Sequence, residues 1–275
     1  MKKFFKALGI ALLYYGVFLG TQLLVSLIAG IVIAFSTFSG QFFGGDIDSV
    51  MADYSAKVLE STNLISLISN IVAVLIVLII FFARKKNPLR EVNIKKFSFP
   101  TAALSWLFGI GCLLTMSVVI EFIPFSDDMI NSFSNFYSVI NGGSYAIQLI
   151  AVGIAAPIAE EFFFRGLVYS RLKEGMRPVA AGAVASLLFG ISHGHPIWIL
   201  SAFLMGVILT LVFEFTGSLV PCIILHMINN FIALFTQNIP TPDYVNIIIL
   251  VAASLTAAVT AVILVRNRKK QPSRI

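Results

Sequence analysis

Charge is scarce in this 275-residue chain, with 12% of residues charged against 58% hydrophobic. A soluble domain of that size has no means of hiding so much apolar surface, which excludes a water-soluble globular protein and leaves an integral membrane protein. Cysteine is almost absent. Cys112 and Cys222 both lie in apolar runs, so no extracellular disulfide framework is built from them. The chain also lacks internal repeats, low-complexity tracts and any polar stretch long enough for a sizeable soluble domain. A net charge of +6 would point to nucleic acid in a soluble protein. Here its placement along the chain has a different cause, and no nucleic-acid partner is expected.

What is present is a series of apolar windows of the length needed to cross a bilayer, about 20 residues. Eight are read: Phe4–Ser36, Leu64–Ala83, Ala102–Ile123, Ile147–Tyr169, Val179–Ser192, Ile197–Phe215, Leu219–Leu234 and Val245–Val265. The fifth and seventh are short. Lys2, Lys3 and Lys6 before the first resemble the start of a secretion signal. Its apolar run is far longer than a signal's roughly 7–15 residues, so a retained helix is expected. Gly16 and Gly20 form a GxxxG within it, a helix-packing motif.

Basic residues fix the orientation. Of the 19 Lys and Arg, all but Lys57 and Arg165 fall at the N-terminus, in 84–96, in 171–177 or in 266–274, the segments facing one side. Asp46, Asp48, Asp53, Glu60, Asp127, Asp128 and Asp243 collect on the other. The expectation is an all-α polytopic helical bundle of about eight spans with both termini cytoplasmic. The loop 37–63 has room for a short helix around Met51–Glu60, and the basic, mildly amphipathic stretch Leu89–Phe99 suits a membrane surface.

Ionisable groups at lipid depth cost roughly 2.5–3.5 kcal/mol each, so those present ask for a function. They are Glu160, Glu161, Arg165, His193 and His226, accompanied by Asn229 and Asn230. Glu161 and Arg165 are four apart and share a helix face, as do His226 and Asn230. Glu160 is turned about 100° from Glu161, so the two carboxylates meet at one spot only if the helix distorts. Counted from the turns that join their helices, Glu160, His193 and His226 stand at similar depth, so three helices converge on one polar layer.

A carboxylate and an imidazole beside one water form a general base, with Glu160 and His193 in those roles. His226 and Asn230 could donate hydrogen bonds to the oxyanion of a carbonyl under attack, with Glu161 and Arg165 as a supporting ion pair. The same Glu160, His193 and His226 could instead ligate zinc, although the HExxH helix motif is absent. No cofactor is favoured. An aspartyl intramembrane protease is excluded because every Asp falls in a loop, and a GxSG serine type because His193 follows Ser192.

"EEFFFR" at Glu160–Arg165, "FGISH" at Phe189–His193 and "GSLVPCIILHMINN" at Gly217–Asn230 resemble the EExxxR, FxxxH and HxxxN motifs of the CPBP family, the CAAX-protease and bacteriocin-processing membrane proteins. The resemblance covers about Ile147–Leu234, roughly a third of the chain. It divides the chain into residues 1–144 with three spans, a core at 145–235 and a last span with a basic tail at 236–275. Family members that remove the C-terminal tripeptide of prenylated CAAX proteins imply Glu160 as catalytic glutamate and His193 as its partner on water. They likewise imply His226 and Asn230 at the oxyanion. The implied partners are the lipid bilayer and a membrane-bound peptide or protein substrate. Two other readings stand beside it. One is a proton-coupled transporter, which would show paired broken helices in two pseudo-symmetric halves. The other is a non-catalytic membrane regulatory or bacteriocin-immunity protein.

Overall fold

A computed structural model describes residues 1–40, 46–237 and 239–270, and Arg274 of the basic tail lies outside them. Among the described residues there are helices and no strands. They are α1 (Lys2–Gly40), α2 (Ile47–Ala83), the short α3 (Pro88–Glu91), α4 (Phe99–Glu121) and α5 (Asp127–Ile140). Next come α6 (Tyr145–Gly175), α7 (Pro178–Ile191), α8 (Pro196–Thr216), α9 (Leu219–Thr236) and α10 (Asp243–Lys270). The chain is an all-α, multi-pass membrane protein. Leu23, Phe35 and Val179 are 72%, 75% and 86% exposed, surface that only lipid tolerates.

Among the described residues seven helices are long and apolar enough to cross a membrane, where the sequence suggests eight spans. The difference is α7. Its 14 residues rise only about 21 Å in a hydrocarbon layer of about 30 Å. The helix stops because Gly194 takes φ +81° and Pro196 opens α8, reversing the chain inside the protein. The shortness has a use, since it leaves His193 at the end of a helix and at mid-membrane depth.

The stretch read as a long outside loop is also different. α2 begins at Ile47, capped by the Asp46 carboxylate accepting from the Ser49 amide, and runs unbroken through Met51–Glu60 into the membrane. Outside the bilayer, α5 is amphipathic and begins at a Ser126 cap. The GxxxG of α1 is not used within the chain, because a Cβ at Gly16 or Gly20 would meet nothing within 4 Å.

One end of the bundle collects the basic segments. The start of α1 packs on Gly175, where an added Cβ would lie 2.7 Å from that of Ala7. Asn93 donates to Ser170 at 3.1 Å, and Ser218 donates to the Lys95 carbonyl at 2.8 Å. Arg171 pairs with Glu91, and Lys173 with Glu214. Arg268 of α10 also reaches Glu214, at 3.7 Å. The opposite end is tied by amides and hydroxyls. Asn63 donates to the Gly142 carbonyl at 2.6 Å and Asn246 to Glu121 at 3.0 Å. The basic end is the cytoplasmic one by the distribution of Lys and Arg.

Candidate active site

α6 carries the carboxylates and is not a regular helix. Residues Ala151–Ala155 and Phe162–Tyr169 are π-helical, with Glu160 and Glu161 in the α-helical turn between them. Such widened turns favour functional sites because they re-aim side chains. The first has a local cause. The Ala156 amide bonds back to the Ala151 carbonyl. The next residue, Pro157, has no amide proton, so the Val152 carbonyl finds no backbone donor. Asn230 of α9 fills the gap, its Nδ2 donating to Val152 O at 2.8 Å. A proline and one asparagine therefore lock α9 to α6 a few residues from Glu160.

Glu161 is fully buried and Arg165 is 1% exposed. Two charges taken out of water that far survive only if paired and otherwise hydrogen-bonded. Arg165 Nη1 donates to Glu161 Oε1 at 2.6 Å, and Nη2 donates to the Gly206 carbonyl of α8 at 2.9 Å. The guanidinium lies 4.7 Å over the ring of Phe189. α8 can offer that carbonyl because Gly206 lets it approach α7, where a Cβ would sit 2.9 Å from that of Ser186.

His226 stands between the two glutamates. Its Nδ1 meets Glu161 Oε1 at 2.9 Å, and its Nε2 lies 3.6 Å from Glu160 Oε2. The distortion that the sequence makes a condition for shared use of both carboxylates is present. Glu161 is ion-paired and can only accept, so His226 Nδ1 carries the proton and Nε2 presents a lone pair toward Glu160. His193 follows the same logic. Its Nδ1 lies 2.8 Å from the Phe189 carbonyl, which also only accepts, so its Nε2 is free as a base. Phe189, itself fully buried, is the hub of the layer, with ring centres 4.8 Å from His193 and 6.0 Å from His226. Glu160 keeps 17% of its side chain exposed, against none for Glu161.

The depth follows from the helices. Glu160 lies eleven residues from Arg171 at the cytoplasmic ion pairs, a rise of roughly 16 Å and thus near the bilayer midplane. Every sequence-predicted residue has a place. Glu160, Glu161, Arg165 and His226 form one cluster, with His193 joined to it through Phe189. Asn230 sits one turn beyond His226 with its amide on Val152, and Asn229 donates to Asn230 Oδ1 at 3.3 Å and to Met205 Sδ at 3.4 Å. His195 is not part of the layer. It is 8% exposed, caps α8, and lies against Ser132, Phe133 and Phe136 of α5.

Three contributors escape sequence reasoning. The Gly206 carbonyl is one, because backbone groups carry no signature. Trp198, with its ring 5.7 Å from His193, is another. The third is α5, whose Phe133, Phe136 and Tyr137 recur at helical spacing and pack on Trp198. That spacing was the available signal. As for metal, the described residues contain no group of three or more His, Cys, Asp and Glu placed to hold an ion. His226 is held by Glu161 on one nitrogen and faces Glu160 with the other.

Residues 142–232 match a family model described as type II CAAX prenyl endopeptidase Rce1-like. Among curated proteins, the chain is 30% identical over 161 residues to the membrane-embedded CAAX protease MroQ of Staphylococcus aureus (strain USA300). That alignment covers 54% of this chain and 64% of the relative, so the chain spans somewhat less than two thirds of the relative's length. No solved structure matches. All three motifs lie within the matched residues.

Proposed function

We propose, for a chain whose residues 142–232 match the Rce1-like CAAX-endopeptidase model, that it is an intramembrane endopeptidase of the glutamate type. It hydrolyses a peptide bond of a membrane-associated substrate by direct attack of water. The supporting observation is the fixed His226 imidazole between Glu161 and Glu160, 2.9 and 3.6 Å away, at mid-membrane depth.

Glu160 takes one proton of a water as its oxygen adds to the substrate carbonyl, while the Nε2 lone pair of His193 accepts a hydrogen bond from the water's other O–H and orients it. The proton passes from Glu160 to His226 Nε2. The imidazolium so formed, its Nδ1–H still donating to Glu161, then donates from Nε2 to the new oxyanion. The second amide proton of Asn230 is the other donor at that oxygen, its first being held by Val152. When the tetrahedral intermediate collapses, the proton returns through Glu160 to the leaving amine. Glu161 and Arg165 take no proton; they hold the His226 ring in one tautomer and one orientation, as an orienting carboxylate does in other hydrolases.

Purified protein in lipid should cleave a membrane-proximal peptide. Glu160→Gln should lower the rate roughly 10²–10⁴-fold, the usual weight of general acid–base catalysis, without changing expression. Cleavage that persists in both Glu160→Gln and His193→Ala would contradict the roles. Loss of activity on chelation, restored by zinc, would favour a metalloprotease. A regulatory or immunity protein acting by binding alone would keep its cellular phenotype in Glu160→Ala.

A further inference from the structure

Two cavities at the cytoplasmic end meet at Arg268 of α10. The first, of about 240 Å³, opens between the segment before α4, the end of α8 and α10. Lys96 and Arg268 line it with Ser98, Thr101, Thr216 and Asn267, and among the described residues no acid does. The segment carrying Lys96 is pinned, because Ser218 Oγ accepts from the Lys95 amide at 3.3 Å and donates to the Lys95 carbonyl at 2.8 Å. The second cavity, of about 370 Å³, is a mainly apolar groove between the end of α6, α7 and α8. Tyr169, Val179, Ala183, Val207 and Leu211 line it, with Glu214 and Arg268 at its cytoplasmic end. Val207 lies seven residues inward of Glu214, so the groove descends roughly 10 Å into the bilayer.

Elsewhere at this end cations are answered by acids. A neighbouring cleft of about 350 Å³ holds Arg90, Arg171 and Lys173, but Glu91 and Glu174 line it too, and Arg171 pairs with both. Lys96 and Arg268 instead share a cavity whose other polar walls are hydroxyls and an amide, so an anion between them meets attraction from both sides. Arg268 reaches Glu214 only at 3.7 Å, and Glu214 is also held by Lys173. An anion that draws Arg268 away therefore leaves Glu214 paired. A cationic cavity joined to an apolar groove at lipid depth matches one amphiphile, a phosphate carrying an acyl chain. Basic pockets between spans on the cytoplasmic side suit anionic headgroups, and a chain seated in the groove packs against fixed side chains.

We infer that the two cavities form one binding site for an anionic glycerophospholipid of the cytoplasmic leaflet. Its phosphate lies between Lys96 and Arg268, and one acyl chain runs along the groove between α7 and α8. The lipid ties the end of α10 to α4 and α8. The site stands apart from the polar layer and does not depend on the endopeptidase reading.

Native mass spectrometry of the full chain, released from non-ionic detergent micelles containing dioleoyl phosphatidylglycerol or dioleoyl phosphatidylcholine, tests it. One phosphatidylglycerol should be retained roughly 10–30-fold more strongly than phosphatidylcholine, the joint weight of two basic groups near an anionic lipid. Lys96→Gln and Arg268→Gln should each weaken that retention about fivefold, and Lys96→Arg should keep it. Arg90→Gln, on the same face but outside both cavities, should change it by less than about twofold. Ala183→Trp fills the groove and should weaken retention about fivefold while both cations stay in place. Lys96, Ala183 and Arg268 are exposed, so these variants keep the packed core, and an unchanged melting temperature of the lipid-free protein checks it. Glycerol 3-phosphate, which carries the phosphate without a chain, should not displace the lipid at equal concentration. Equal retention of the two lipids overturns the site, as does a loss in Arg90→Gln equal to that in Lys96→Gln, which would mean general attraction to a basic surface. Displacement by glycerol 3-phosphate would leave a free-phosphate site, and unchanged retention in Ala183→Trp would remove the groove; either result overturns the lipid assignment.

Discussion

α1 and α6 are both long apolar helices, but they meet different surroundings. In the most apolar window of α6, 56% is buried within the protein, against 11% for α1. α1 is an unbroken α-helix of 39 residues, while α6 changes pitch twice and carries Pro157, two glutamates and an arginine. A helix against hydrocarbon must satisfy every backbone group within itself, so regularity is imposed on it. A helix wrapped by its neighbours can borrow partners. The Val152 carbonyl takes Asn230, Arg165 takes the Gly206 carbonyl, and Glu161 takes His226. Irregularity and charge thus concentrate where other helices can answer them, and the same places become available for chemistry.

The comparison breaks most visibly at Arg165. Arg165→Leu leaves Glu161 buried without its cation and should cost about 3–5 kcal/mol, read as a lower melting temperature in detergent. Pairing it with Glu161→Gln should recover much of the loss. A smaller effect is expected for glycine. A Cβ at Gly153 would lie 2.7 Å from the Phe231 ring, so Gly153→Ala should destabilise by about 1–3 kcal/mol. Gly16→Ala in α1 has open space, and the same measurement should move by less than about 0.5 kcal/mol. Leu255→Ala on α10 is expected to be equally small. This side chain is 62% exposed to lipid, and the change should fall within about 0.5 kcal/mol. Equal losses at Gly153 and Gly16 would remove the distinction between the two helices.

Most of the bundle was legible because hydropathy is a local property. Windows of apolar residues and runs of Lys and Arg mark spans and sides without knowledge of packing. α7 was read as a span because composition does not reveal that Gly194 and Pro196 turn the chain inside the protein. The Glu161–Arg165 pair followed from four-residue spacing, which holds when one helix carries both partners. The approach of Glu160 to His226 was expected from matching depth, but the way both carboxylates reach one imidazole was not, because it depends on the two π-helical segments of α6. Pro157 was a clue in plain sight, since a proline inside a membrane helix orphans a carbonyl that something must satisfy. The Asn230 amide on Val152 was hidden because spacing within α9 suggests only that Asn230 shares a face with His226. α5 was passed over because its aromatic face is short and lies between loops.

A double-mutant cycle on cleavage rate with Glu160→Gln and His193→Ala tests the core of this account. If the two groups act on one water, the double variant should be about as slow as the slower single variant, as happens when residues work as a unit. Losses that multiply in the double variant would mean that Glu160 and His193 act independently, and the shared-water mechanism would be wrong.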